Sequence, residues 1–186
     1  MTRLISVGLL AIVLNTAAGA SGQPRPSPFP LADGNRWTFR SVELNGAHTI
    51  SVERAPQGLM LRGLPGAPSL RVRWVGQTVQ AWDTGNERWE AILRFGEPAG
   101  GSYRVNLANT LLWRNLVVTV ASKRARVEDH TGRERLATRF VFASKSKIAD
   151  AGLEWMAFAP GVGPVRIAEQ TIAGTRELAL TGHRLK

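Results

Sequence analysis

The chain has 186 residues, a formal net charge of +10, 44% hydrophobic residues and no cysteine. That length suits one domain with a core large enough to fold without covalent staples. The missing cysteine excludes a disulfide scaffold, a thiolate metal site, a thiol nucleophile and a lipid-modified N-terminal cysteine.

Residues 1–20 read as a secretory signal peptide lying outside the fold. Arg3 supplies the positive end, residues 4–14 are a continuous apolar run, and Ala18-Gly19-Ala20 offers the small residues of a cleavage site after Ala20. The run is well short of the ~20 residues that span a bilayer, so no transmembrane segment is expected after cleavage. The expected location is periplasmic or extracellular. Residues 21–30 carry proline at 24, 26, 28 and 30. Alternate prolines fix φ and remove N–H donors, so this stretch is expected to be an extended tether. A single β-rich domain is expected over residues 31–186.

Within that domain, turn residues recur at a spacing typical of antiparallel β proteins: Asp33-Gly34-Asn35, Asn45-Gly46, Pro65-Gly66, Gly76, Asp83 to Asn86, Gly100-Gly101, Thr131-Gly132 and Gly161-Val162-Gly163. The segments between them alternate with period two. Trp37 and Phe39 oppose Arg36, Thr38 and Arg40. Asn45-Gly46 is a type I′ hairpin signal, leading into Ile50 and Val52. Leu70, Val72 and Trp74 oppose Arg71 and Arg73. Trp89, Ala91, Leu93 and Phe95 oppose Arg88, Glu90 and Arg94, with Ile92 out of pattern. Residues 115–121 form a more continuously apolar strand. Leu136, Thr138, Phe140 and Phe142 oppose Arg135 and Arg139. Ten to twelve strands follow, with at most one or two short helices, at residues 108–113 and 146–153. The expected fold is all-β: a single antiparallel, strongly twisted sheet forming a barrel or half-barrel.

Chemistry-bearing patterns are sparse. His48, His130 and His183 lack metal-ligand spacing, and no metal or cofactor is expected. Ser144 to Lys147 has an S-x-x-K spacing without the partner motifs of the serine enzymes that use it. No nucleophile elbow, phosphate loop or dinucleotide fingerprint occurs. The carboxylate pairs Glu87/Glu90 and Glu128/Asp129 leave a hydrolase as a third-ranked reading. A non-enzymatic role is expected.

Two features suggest binding. Six tryptophans, Trp37, Trp74, Trp82, Trp89, Trp113 and Trp155, are candidates for a concave face that takes an apolar or amphipathic ligand such as lipid. Trp82 alternates with Gln80 and is the best candidate for an exposed or pocket-lining ring. Arginine outnumbers lysine twenty to four. Arg124, Arg126, Arg133, Arg135 and Arg139 fall on alternate positions of a hairpin around Thr131-Gly132. They are candidates for one face that docks an anionic envelope polymer. Export argues against nucleic acid as a partner.

Phe29-Pro30-Leu31, Gly34-Asn35 and Trp37-Thr38-Phe39, followed far downstream by Phe158-Ala159-Pro160-Gly161-Val162-Gly163-Pro164-Val165-Arg166, Gly174 and Glu177-Leu178, resemble the opening and closing motifs of uncharacterised bacterial exported proteins and lipoproteins. The resemblance implies an exported, β-rich single domain, an open or curved sheet of the kind used by periplasmic lipoprotein carriers, and no catalytic residues. This chain lacks the lipobox cysteine of many such proteins.

Overall fold

The computed structural model describes residues 26–41, 46–144 and 151–186. The signal segment, the Asn45 half of the first hairpin turn and residues 145–150 lie outside them. Twelve strands follow in chain order: β1 (Arg36–Ser41), β2 (Ala47–Ala55), β3 (Gly58–Leu64), β4 (Ala67–Val75), β5 (Thr78–Asp83), β6 (Arg88–Arg94), β7 (Ser102–Val105), β8 (Leu116–Glu128), β9 (Glu134–Ser144), β10 (Ala151–Ala159), β11 (Gly163–Thr171) and β12 (Gly174–Arg184). Helical structure among the described residues is one 3₁₀ turn, Leu111–Trp113. The expected helix at 146–153 is not formed over its last three residues, which belong to β10.

All twelve strands form one antiparallel sheet in the order β6-β5-β4-β3-β2-β1-β12-β11-β10-β9-β8-β7. Chain neighbours pair at every step but one, between β6 and β7. The terminal strands β1 and β12 pair with each other, and the edges β6 and β7 meet without a ladder. Tyr103 on β7 bridges that seam: its hydroxyl accepts from Arg94 N at 2.9 Å and donates to Ile92 O at 3.2 Å. Burial pushes the Tyr103 phenol up, so it stays protonated and keeps its donor. The result is a nearly closed, barrel-shaped sheet.

Alternation fills the interior. Trp37 and Phe39 on β1, Ile50 and Val52 on β2, Val79 and Ala81 on β5, Phe140 on β9, and Met156 and Phe158 on β10 are wholly buried. Phe95, Phe140 and Phe158 meet edge to face with centroids 5.1 to 5.8 Å apart, the packing favoured by the ring quadrupole. Each end is plugged. At one end, the loop after β7 inserts Trp113, which contacts Phe142 and donates from Nε1 to Pro65 O at 2.9 Å.

At the other end, a strap over residues 26–31 seats Phe29 between Trp37 and Phe158, with centroids at 5.3 and 5.2 Å. The expected tether is therefore part of the fold from residue 26 onward. Proline does favour an extended chain there, but Phe29 makes that chain a plug. Ser27 O accepts from Gly161 N and Phe29 O accepts from Trp74 Nε1, both at 2.9 Å. Buried Asn35 ties the strap to the C-terminus, donating to Pro30 O and accepting from Lys186 N, each at 2.8 Å.

The two motifs at opposite ends of the chain meet here. Trp37 Nε1 donates to Val162 O at 2.5 Å. Gly163 has φ of +99°, and a Cβ there would lie 2.7 Å from the Trp37 ring. Only glycine suits both constraints. Removing the Phe29 ring leaves a cavity the rigid strands cannot refill. Phe29→Ala is expected to lower unfolding free energy by about 3–5 kcal/mol in urea denaturation. A true tether residue would change it by less than about 0.5 kcal/mol.

Candidate functional site

The six tryptophans do not line one concave face. Trp37 and Trp113 are wholly buried, and their N–H groups are satisfied by backbone carbonyls. Trp74 is half-buried at the strap end of the barrel. Trp82 and Trp89 lie on the outside, and Trp155 is half-buried, packed against the core with Arg139 on its ring. Strand parity causes this split. Trp82 shares its side with Gln80 while Val79 and Ala81 point inward, as the sequence suggested. Trp89 was grouped with Leu93 by alternation. A bulge opposite Val79 and Gln80 puts two β6 residues against one step of β5, so Leu93 turns inward and Trp89 pairs with Trp82 outside.

Arginines cover these rings. The Arg71 guanidinium carbon lies 4.5 Å from the Trp82 centroid and 4.8 Å from that of Trp89. Arg73 lies 4.1 Å from Trp89, and Arg139 4.2 Å from Trp155. Arg71 and Arg73 were visible in the sequence as alternate positions, but their match to Trp82 and Trp89 is set by cross-strand register.

The five arginines of the β8–β9 hairpin also separate. Arg126 pairs with Leu136, and Val127 pairs with Arg135. Directly paired residues share a face, so Arg126 and Arg135 lie on opposite faces. Bulges between Val120 and Ala125 set this register. Arg126 pairs with exposed Glu134 at 3.4 Å, and Arg124 and Arg133 are exposed. Arg135 pairs with Asp129 at 3.3 Å, while Arg139 lies against the Trp155 ring with no carboxylate partner among the described residues. Leu136, grouped with Phe140 and Phe142 by alternation, is 45% exposed because the hairpin has already left the barrel there.

That hairpin is an arm whose tip reaches β12. His130 Nδ1 lies 2.7 Å from Leu180 O, and Arg166 Nη1 donates to Glu128 O at 3.3 Å. Asp129 organises the tip. Its carboxylate accepts from Thr131 Oγ1 at 2.6 Å, from the N–H groups of Thr131 and Arg133, and from Arg135 Nε. These bonds, the Thr131 hydroxyl foremost, hold its pKa down at about 2. The other histidine with a contact, His48, bonds Gly63 O at 2.6 Å, far along the chain from His130. Of the carboxylate pairs, Glu90 faces Arg88 at 3.5 Å. Ser144 ends β9, and the rest of the S-x-x-K stretch lies outside the described residues.

The concave sites are surface depressions. One, of about 770 Å³, opens beside the strap and is lined by Pro26, Pro28, Trp74, Phe95, Lys123 and Thr138, among others. Lys123 Nζ donates to Phe95 O. Burial lowers the Lys123 pKa against the opposing pull of Glu97. Of the sequence candidates only Trp74 belongs to this depression. Local pattern places Phe95 among the inward residues but does not bring Lys123 to it, because the two meet only through the bulged exit of β8 from the barrel. A second depression, about 640 Å³, lies between the arm tip and Arg40 and Arg166. A third, about 430 Å³, adjoins Arg71 and Trp82.

No family model matches the chain, and no curated protein matches it. Kinship with the exported proteins and lipoproteins therefore stays a likeness of motifs. Among solved structures, a protein from Parabacteroides distasonis ATCC 8503 described as a "putative lipoprotein" matches with a TM-score of 0.41 and 10% identity, over 87% of this chain and 100% of that one.

Asp129 makes the arm tip acid-sensitive. A carboxylate whose folded pKa is depressed contributes stability that is present above its ordinary value and lost as pH falls through the folded value. Amide protection factors at Thr131 and Arg133 are expected to hold from about pH 7 to about pH 4 and to collapse toward pH 2. Asp129→Asn is expected to remove that transition in hydrogen-exchange NMR.

Proposed function

We propose that the chain is an exported, non-enzymatic binding module that holds a small amphipathic anion in the depression beside the strap. The observation that carries this reading is the pairing of apolar walls with one cation. Trp74, Phe95 and the prolines supply flat apolar surface, and Lys123 is the one charged group among the described lining residues. The volume falls within the range of small-molecule sites. A carboxylate or phosphate head on Lys123 adds a negative charge beside an ammonium that is already bonded to Phe95 O and partly desolvated, while an alkyl body covers the rings. The export part of the reading rests on the three-part pattern of residues 1–20.

This keeps the amphipathic ligand suggested by the tryptophans but moves it. The barrel interior is occupied by its own side chains, so the ligand sits at the rim. Docking of anionic envelope polymers on the β8–β9 arginines loses the shared face it required, since Arg126 and Arg135 point apart.

Dodecanoate titrated into the protein is expected to change tryptophan fluorescence through Trp74. Lys123→Met should weaken the affinity about tenfold, or roughly 1.4 kcal/mol, and Thr138→Trp should block the depression. Dodecanol binding as tightly as dodecanoate, or unchanged binding by Lys123→Met, would contradict the assignment.

A further inference from the structure

We propose that the outer face of β4–β6 binds an acidic sugar unit, a saccharide bearing a carboxylate, between Arg71, Trp82 and the loop that carries Asn109. The first ground is how the arginines are neutralised. Arg62, Arg88, Arg126, Arg135, Arg166 and Arg176 each have a carboxylate within 3.5 Å. Arg71 and Arg73 are among the described arginines that have none, and Arg71 alone of these lies within 5 Å of two indole rings. They lie on indole rings instead; Arg73 Nε donates to Gln80 Oε1 at 2.9 Å, whereas Arg71 Nε, like those of Arg139, Arg166 and Arg176, is buried without a hydrogen-bond partner. Stacking occupies the flat face of the Arg71 guanidinium and leaves its two terminal Nη groups, in the plane of the fork, to take a carboxylate through two parallel bonds.

The second ground is the depression of about 430 Å³ that adjoins this stack. Ser69, Thr84, Asn109 and Thr110 bring neutral hydroxyl and amide groups to it, while Met60 and Trp82 bring apolar surface. That combination fits a pyranose, which presents hydroxyls around its edge and C–H groups on its faces. A bare phosphate has no use for the rings, and an acyl chain has none for the hydroxyls.

The third ground is Asp83, the one carboxylate among the described lining residues. It is only 2% exposed and accepts from Gly85 N and Ala108 N, each at 3.1 Å, and from Asn86 Nδ2 at 2.6 Å. Its charge is committed to holding the two loops that shape the rim, so it leaves Arg71 open to an incoming carboxylate. Asn109 Nδ2 donates to Thr84 Oγ1 at 2.8 Å across the same loops.

The site is separate from the strap-side depression, and the two are testable apart. Trigalacturonate is expected to bind by isothermal titration calorimetry, with affinity that falls as salt rises, while maltotriose binds at least tenfold more weakly. Arg71→Gln and Trp82→Ala should each weaken trigalacturonate at least tenfold, whereas Arg104→Ala, on the exposed side of β7, leaves it unchanged. Should Trp82→Ala not fold by circular dichroism, Arg71→Gln decides, with Arg71→Lys, which keeps the charge but loses the fork, as its second variant. Equal binding of maltotriose overturns the proposal. So does indifference to Arg71→Gln, or binding only to inorganic phosphate or to anionic lipid vesicles.

Discussion

A sheet that curls on itself must fill the space it encloses, and every other property of this protein follows from how that is done. Twelve strands with alternating side chains wrap a volume that aliphatic residues alone would leave partly empty. Aromatic rings fill it. Phe95, Phe140 and Phe158 pack edge to face inside the barrel, Trp113 and Phe142 close one end, and Phe29 with Trp37 closes the other. Interiors packed in this way tolerate neither voids nor guests without a cost of several kcal/mol. The remaining tryptophans lie outside that packing, beneath arginines or beside the strap, where the two proposed sites are placed.

The same constraint explains the two motifs. Phe29, Asn35 and Trp37 come from the start of the domain, and Phe158, Gly161, Val162 and Gly163 from near its end. They form one lock in which a plug ring, a bridging amide, an indole N–H and a side-chain-free turn depend on one another. Their role is to close the barrel where its terminal strands pair. A motif of this kind specifies a fold and carries no information about a ligand, so the sites proposed above rest on residues outside it.

Much of the fold was legible in the sequence because one-sided burial writes itself as alternation. Trp37 and Phe39, Leu70 and Val72, and Val79 and Ala81 all point as their parity requires. Parity fails wherever a bulge intervenes. Trp89 and Leu93 have the same parity and face opposite ways, and five arginines spaced for one face are spread over several surroundings. The strap was misread for a related reason. Proline sets local conformation, but whether Phe29 packs depends on Trp37 and Phe158, distant residues whose positions only the closed barrel defines. The candidate sites were less legible still. Lys123 meets Phe95, and Arg71 meets Trp82, through strand register, and local pattern does not encode register where the ladder is irregular.

The central claim is that the interior is sealed and that ligands meet only the outer rings. Fluorine NMR of protein labelled with 5-fluorotryptophan reads all six positions at once. The account predicts that dodecanoate shifts the Trp74 resonance, that trigalacturonate shifts those of Trp82 and Trp89, and that Trp37 and Trp113 stay fixed under both. Movement of the Trp37 or Trp113 resonance on addition of either ligand would place the ligand inside the barrel and contradict the account.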